Sequence, residues 1–353
     1  MMRRLAATRQ TPSPPGPLSQ DGRGGRLSVP LSHLGRGVRG EGWSDGTAPA
    51  PSVWIVVLNR RGRSYTIACL RAVAALSYPN TSLVLIDNGC QDFSEGEVAQ
   101  LVPGAHYLQV AINRGFTGGV NLGIRHALQH GGDYVLLLNN DATIDADAVT
   151  ELVRVATSDP RIGIVGAKML QLDAPGTLES VGLLVDLRFG RTYQMGFGQP
   201  DRGQYDAATD RTAVSGGAMF LSRAVCERLG GFDERYFRYV EDIDVCLRAQ
   251  RAGFRVVFAP LARVHHKGKG MAEGKTSALI LYYSVRNHLM LMREYGKGGL
   301  VGQLARVPII CLLYAAYALR AQARLGWAGL AAVWRGWWDY QRGVVGEAPS
   351  GDR

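Results

Sequence analysis

At 353 residues the chain exceeds one small domain and falls short of two large ones, so one sizeable core with appendages is expected. A 46% apolar fraction is ordinary for a globular protein, and a formal charge of +10 points to anionic partners such as phosphates or acidic lipid headgroups. No basic stripe is paired with aromatics in a nucleic-acid-binding motif, which argues against that class, and five scattered cysteines form no C-x-x-C and no zinc-like pairing with histidine, which fits free thiols in a reducing compartment.

Residues 1–50 are rich in Pro, Gly, Ser and Arg without apolar periodicity, and a disordered tail is expected there. No apolar h-region marks a secretory signal. From Pro51 the pattern changes. Val53–Leu58 is an unbroken apolar run, as in a strand buried on both faces. Thr66–Leu76 has helical spacing, Leu83–Ile86 reads as a second strand, and a third lies near Tyr107–Val110. A helix through Val120–Gln129, a strand at Tyr134–Leu138 and a helix over Asp145–Ala156 follow. This alternation predicts βαβ units and a mainly parallel sheet.

After Ile162 the segments become shorter and more β-like, through Val181–Val185 and Val214–Leu221. An acidic helix, a strand at Phe254–Phe258 and a helical run over Leu281–Tyr295 come next. The expected architecture is α/β: a Rossmann-like first half joined to a mixed-sheet second half over residues 51–295. Residues 296–353 form a C-terminal helical region. There Val307–Leu319 is apolar for thirteen residues, short of the roughly twenty that a bilayer span needs. Trp327, Trp334, Trp337 and Trp338 lie among Arg335 and Arg342, a mixture that suits a membrane interface; the alternative is packing on the domain or on a second copy in a homodimer.

Ligands of doubly wound sheets bind beyond the carboxyl ends of the strands. Asn59, Asp87-Asn88 and Asn139-Asn140-Asp141 stand at three such ends. Each alone is an ordinary turn former; three together point at one crevice. Asp141 is the strongest metal candidate, because magnesium or manganese takes few carboxylates and completes its shell with water and phosphate oxygens. Asn113–Asn121 is glycine-rich and leads into a helix, so its backbone is expected to approach a nucleotide. His265 and His266, before a KGKG stretch, are candidates to complete a metal shell, and Arg286 to hold an acceptor phosphate. Gly230–Arg248 holds five carboxylates within twelve positions, and Asp242 falls at a helix start, where backbone N–H groups favour an anion. That makes Asp242 the candidate general base.

The ordered set VVLN, LVLIDNG, NRGFTGGVNLGI, LLLNND, SGGAMFLSR, GGFDERYFRYVEDIDVCLR, VHHKG and YYSVRN resembles the family 2 glycosyltransferases over roughly residues 52–295, with the flavour of rhamnosyltransferase-like bacterial members. The resemblance implies a GT-A fold and an inverting transfer from a nucleotide-sugar, with dTDP-rhamnose favoured. The implied acceptor is a glycan or polyprenyl-linked molecule at the cytoplasmic membrane face. Asp87 would hold the base or ribose, Asp141 would match the second acid of a D-x-D metal motif, Asp242 the base, and His266 before His265 the motif histidine. Substrate contacts are expected at Asn59, Asn113, Gly115, Asn121, Asn139, Gly217, Glu241, Asp244, Arg286 and Asn287. Asn139 replaces the first D-x-D acid, so Mg2+ or Mn2+ would carry one fewer ligand charge and the dependence on it would be weak. The competing expectations are a sugar-phosphate nucleotidyltransferase and a non-catalytic membrane-bound relative.

Overall fold

The computed structural model describes residues 49–268 and 277–349. The tail expected to be disordered therefore lies outside the described residues except for Pro49 and Ala50, as does the Lys269-Gly270 end of the KGKG stretch. The apolar runs form the middle of one sheet. Strand β1 (Val53–Asn59), helix α1 (Arg63–Ala74), β2 (Thr81–Asn88), α2 (Glu95–Leu101), β3 (His106–Val110), α3 (Gly115–Gln129) and β4 (Tyr134–Asn139) follow in order. β1 pairs in parallel with both β2 and β4, and β2 with β3. Val53, Ile55 and Val57 join one apolar cluster with Leu70 and Val73 of α1, whereas Trp54 and Val56 join another with Val120 and Ile124 of α3. Burial on both faces explains why the alternation expected of a half-buried strand is missing here.

The chain continues through β5 (Ala142–Ile144), α4 (Ala148–Thr157), β6 (Ile162–Gln171), β7 (Leu178–Ser180), β8 (Leu183–Asp186), β9 (Arg191–Gln194), β10 (Thr209–Asp210) and β11 (Ala218–Ser222). Then come α5 (Arg223–Leu229), α6 (Glu241–Arg251) and β12 (Arg255–His266). The large sheet has the order β10-β12-β6-β11-β4-β1-β2-β3, and β11 lies antiparallel between β4 and β6, so this half is mixed.

Several sequence boundaries move, and three of these shifts have a clear local cause. The run Val181–Val185 is broken at Gly182, whose φ of 125° leaves the strand region. The run Val214–Leu221 shortens to β11, because the residues before Ala218 form a turn. The strand at Phe254–Phe258 extends to His266, because a register shift between Ala259 and Arg263 lets it pass Pro260.

Helix α7 (Ala278–Tyr295) is followed by α8 (Gly299–Arg320), α9 (Gln322–Leu325) and α10 (Ala328–Gln341). α8 outruns its thirteen-residue apolar stretch. At 22 residues it is long and apolar enough to cross a membrane by length and composition alone, where the thirteen-residue run fell short. Ile310, Tyr314 and Ala318 bury one face of it. α10 sits close against α7 at Gly336, where a Cβ would come within 2.6 Å of the Tyr282 carbonyl, and Tyr282 donates to Asp339 at 2.8 Å. The other faces stay apolar and exposed, with Leu312, Trp327 and Trp334 at 69%, 76% and 63% exposure.

Candidate active site

Asn59 and Asp87 are fully buried at the carboxyl ends of β1 and β2, and their polar atoms are spent on the protein. Asn59 donates to Asp92 Oδ2 at 3.2 Å and accepts from the Thr66 hydroxyl at 2.9 Å. Asn140, at the end of β4, donates to Thr66 at 2.9 Å and Asn59 at 3.2 Å, locking two strand ends together. Asp87 accepts from the amides of Cys90, Gln91 and Asp92 at 3.0, 3.0 and 2.8 Å. Burial works against its charge, but these bonds outweigh burial and hold its carboxyl below the usual range. The expected direct grip of Asp87 on a base is thus replaced by a turn that Asp87 builds over residues 87–92.

A second group forms where β4, β7 and β12 meet. His266 Nε2 lies 3.1 Å from Asp141 Oδ1 and 3.2 Å from Asn139 Nδ2, while its Nδ1 lies 2.8 Å from Glu179. Glu179 was invisible in the sequence; nothing near it carries a motif. Strand alternation sends the adjacent His265 elsewhere, onto Asp145 at 3.0 Å. Burial opposes a charge on His266, but Asp141 and Glu179 outweigh it and raise its pKa to about 10. A divalent metal fits this donor set by displacing the His266 Nε2 proton that faces Asp141: a carboxylate and an imidazole nitrogen then converge, and the other imidazole nitrogen is oriented by a carboxylate, the usual arrangement behind a metal-bound histidine.

The third group is the start of α6. Asp242 is half-buried; its Oδ1 accepts from the Ile243 amide at 2.9 Å and its Oδ2 from the Gly216 amide at 3.2 Å. Burial pushes its pKa up, and these amides pull against that, so the helix start moderates the shift without reversing it. Glu241 beside it is buried, and its Oε2 has no hydrogen-bond partner among the described residues. Burial first, and then the Asp242 charge, raise the Glu241 pKa to about 8. Gly217 connects this group to the second: its carbonyl accepts from the Asn139 amide at 3.0 Å, while Gly216 holds Asp242.

The approach to α6 is strained. Phe237, Tyr239 and Val240 have φ of 62°, 66° and 73°, a region that bulky residues avoid. Several side chains named from the sequence hold this segment instead of facing the crevice. Asn287 donates to the carbonyls of Tyr236, Arg238 and Tyr239 at 2.8, 2.7 and 2.9 Å. Arg286 is fully buried and donates to Asn287 and Tyr236, so it is no phosphate clamp. Asn121 bonds the amide and carbonyl of Phe232 at 2.8 and 2.9 Å. Asp244 accepts from Arg248 at 2.8 Å and Tyr295 at 2.9 Å, buried between α6 and α7, and does not reach toward an acceptor.

The glycine-rich stretch also does a packing job. A Cβ at Gly119 or Gly123 would come within 2.4 Å of Leu58 or 2.3 Å of Val56, so these glycines let α3 lie close on the sheet. Gly115, at φ 71°, leaves room for Phe237, and Asn113 accepts from the Asn88 side chain and the Gly115 amide at 3.1 Å each.

Residues 49–287 match the family described as Glycosyltransferase like family 2. An N-acetylglucosaminyl-diphospho-decaprenol L-rhamnosyltransferase of Mycobacterium tuberculosis is 28% identical over 238 residues, covering 60% of this chain and 76% of that protein. The low-salt glycan biosynthesis hexosyltransferase Agl10 of Haloferax volcanii is 31% identical over 161 residues, 43% of this chain and 48% of its own length. Among solved structures, GalNAc-T7 with UDP, GalNAc and Mn2+ superposes with a TM-score of 0.54 at 14% identity, covering 69% of this chain and 48% of that one. Likeness at that identity speaks for the fold alone.

Proposed function

The chain belongs to glycosyltransferase family 2 and has the GT-A fold, and from that premise we propose that it is an inverting enzyme using a nucleoside-diphosphate sugar, dTDP-rhamnose before others. Its acceptor is a hydroxyl of a cell-wall or surface glycan, or of a lipid-linked precursor. The observation that carries this reading is the Gly216-Gly217 turn, which holds Asp242 by one amide and the Asn139 strand end by the next carbonyl. The base and the strand end that precedes the cation-binding Asp141 by two residues are thereby joined through one turn.

Asp242 takes the proton of the acceptor hydroxyl, whose oxygen forms the bond to the anomeric carbon from the face opposite the leaving diphosphate. The bond from that carbon to the diphosphate oxygen breaks, and the diphosphate leaves with the electron pair, so configuration inverts. The upward push that burial gives the Asp242 carboxyl makes it a stronger base than an exposed aspartate. Glu241, with its unpartnered Oε2, is the group suited to a hydroxyl of the bound sugar or acceptor.

Asp141 and His266 are the residues that would hold Mg2+ or Mn2+, with Glu179 orienting His266. Such a cation supplies charge for the departing diphosphate. With Asn139 in place of an acid, the set holds the cation with one carboxylate, which supports a weak dependence. Asp87 and Asn59 act through the turn they build beneath the base.

Rhamnose as the sugar and a polyprenyl-linked acceptor are supported by the name of the mycobacterial relative. The exposed apolar side of α8 and α10, with its tryptophans, supports peripheral association with the cytoplasmic face of the plasma membrane. The function is tested by thermal unfolding with dTDP-rhamnose, UDP-N-acetylglucosamine and GDP-mannose, each with and without Mn2+. A rise in Tm with dTDP-rhamnose is expected, because a ligand binding only the folded chain stabilises it by mass action. A rise with another donor alone overturns the sugar, and no rise with any overturns donor binding.

A further inference from the structure

The end of the sheet opposite the crevice carries a group that sugar transfer does not use. His106 opens β3, His126 lies in the last turn of α3 and His130 caps that helix. His126 and His130 are four residues apart on a helix, a spacing that brings side chains together, and their rings stack at 4.1 Å between centroids. His106 arrives from the neighbouring strand: His126 Nε2 lies 2.9 Å from His106 Nδ1. One nitrogen from each ring can be chosen so that all three lie within 4.8 Å of one another. No local sequence pattern marks the trio, because β3 and α3 must first pack together.

We propose that His106, His126 and His130 form a binding site for a late first-row divalent cation, with Zn2+ as the best-fitting ion, distinct from the cation site of the crevice. Three features of the geometry support it. His106 Nδ1 and His126 Nε2 already lie 2.9 Å apart, a few tenths of an ångström short of the roughly 3.3 Å that two nitrogens keep around a tetrahedral zinc; a cation between them would replace the shared proton, which moves to the second nitrogen of its own ring. His130 Nδ1 lies 2.7 Å from the His126 carbonyl, which can only accept, so Nδ1 carries the hydrogen and Nε2 keeps its lone pair. This is the backbone-fixed tautomer typical of a ligating histidine. Finally, Trp54 stands against all three rings at 5.0, 5.3 and 5.4 Å between centroids, forming a rigid wall on the buried side.

His130 is exposed while His106 and His126 are half-buried, so the group is reachable from solvent. Three imidazoles select zinc, copper or nickel over magnesium and manganese, the reverse of the Asp141 site. A fourth position is left to water. Among the described residues no carboxylate joins this group of ligating atoms, and the role assigned to it is to tie β3 to the end of α3.

Zn2+ is titrated by calorimetry into the full tag-free chain carrying Asp141→Ala, so that crevice binding is removed. One ion per chain is expected, with binding weakened at least about tenfold by either His126→Ala or His130→Ala, in line with losses seen on disturbing metal sites. Substitution of Co2+ for Zn2+ should give the visible absorption of a tetrahedral site. His130 is exposed, so His130→Ala keeps the fold even if His126→Ala does not. An unchanged isotherm in His130→Ala, or no Zn2+ uptake by the Asp141→Ala chain, overturns the proposal. If the trio is only a packing cluster, the histidine variants lower Tm equally with and without Zn2+, which overturns it as well. Failure of the crevice cation reading leaves this comparison intact, because the histidine variants are judged against the same parent.

Discussion

The Asn287 side-chain amide donates to the Tyr239 carbonyl at 2.9 Å, three residues before Asp242. Two further carbonyls, those of Tyr236 and Arg238, are bound by the same nitrogen, so one buried amide holds a segment in which three non-glycine residues have positive φ. Asn287→Ala removes two N–H donors shared among these three carbonyls and the oxygen that accepts from Arg286 at 3.0 Å, leaving buried polar groups unpaired, so a stability loss of about 2–3 kcal/mol is expected. With Asp242 no longer held, kcat should fall by more than about tenfold while donor affinity changes little. Urea unfolding and steady-state kinetics measure both, and an unchanged kcat would show that the clamp does not position the base.

Asp242→Asn preserves the shape of the helix start and removes the base. Turnover should fall by about 10²–10⁴-fold, with nucleotide-sugar binding retained. Transfer at the wild-type rate would remove Asp242 from the chemistry.

Glu179 makes no contact with substrate in the proposed arrangement and acts through His266. Glu179→Gln weakens the orientation of that ring, and Mn2+ affinity should drop by about 10–100-fold. Asp141→Ala should abolish the dependence of donor binding on Mn2+. Calorimetry with and without Mn2+ separates the two, and equal affinity in Glu179→Gln and wild type argues that His266 holds no metal.

Burial raises the Glu241 pKa to about 8, so the folded chain resists the charged form. A group raised in the folded state contributes stability that is complete below its unfolded pKa and is lost as pH rises through the folded value. Stability should therefore decline from about pH 4.5 to about pH 8 on account of Glu241. Glu241→Gln removes that decline, and its urea midpoint should exceed that of the wild type above pH 8. Parallel midpoint profiles for the two chains would mean that Glu241 ionises normally.

Trp334, 63% exposed on α10, and Leu312, 69% exposed on α8, present apolar surface with no covering element among the described residues. The variant Trp334→Glu with Leu312→Glu should lose co-sedimentation with vesicles containing anionic lipid and keep its oligomeric state. Loss of a dimer in light scattering, with vesicle binding unchanged, would assign this face to a second copy.

Much of the frame was legible in the sequence because its signals are local. Unbroken apolar runs announced β1, β2 and β4, which are buried on both faces, and the polar residue ending each run marked the crevice. Asp242 stood out because a helix start is written in a few consecutive residues. Arg286, Asn287 and Asp244 look the same in sequence whether they meet a substrate or a backbone carbonyl, and here they meet the protein.

The sequence alone determined that the chain is α/β, carries the ordered motifs of glycosyltransferase family 2 and has acids at two places. Only the tertiary structure decided which groups join them. Glu179 reaches His266 across 87 residues of chain, and Gly216 reaches Asp242 across 26. His106 and His126 meet only because β3 and α3 pack at the same end of the sheet. Such pairings depend on sheet order and strand register, and a strand's own residues encode its faces but not its neighbours.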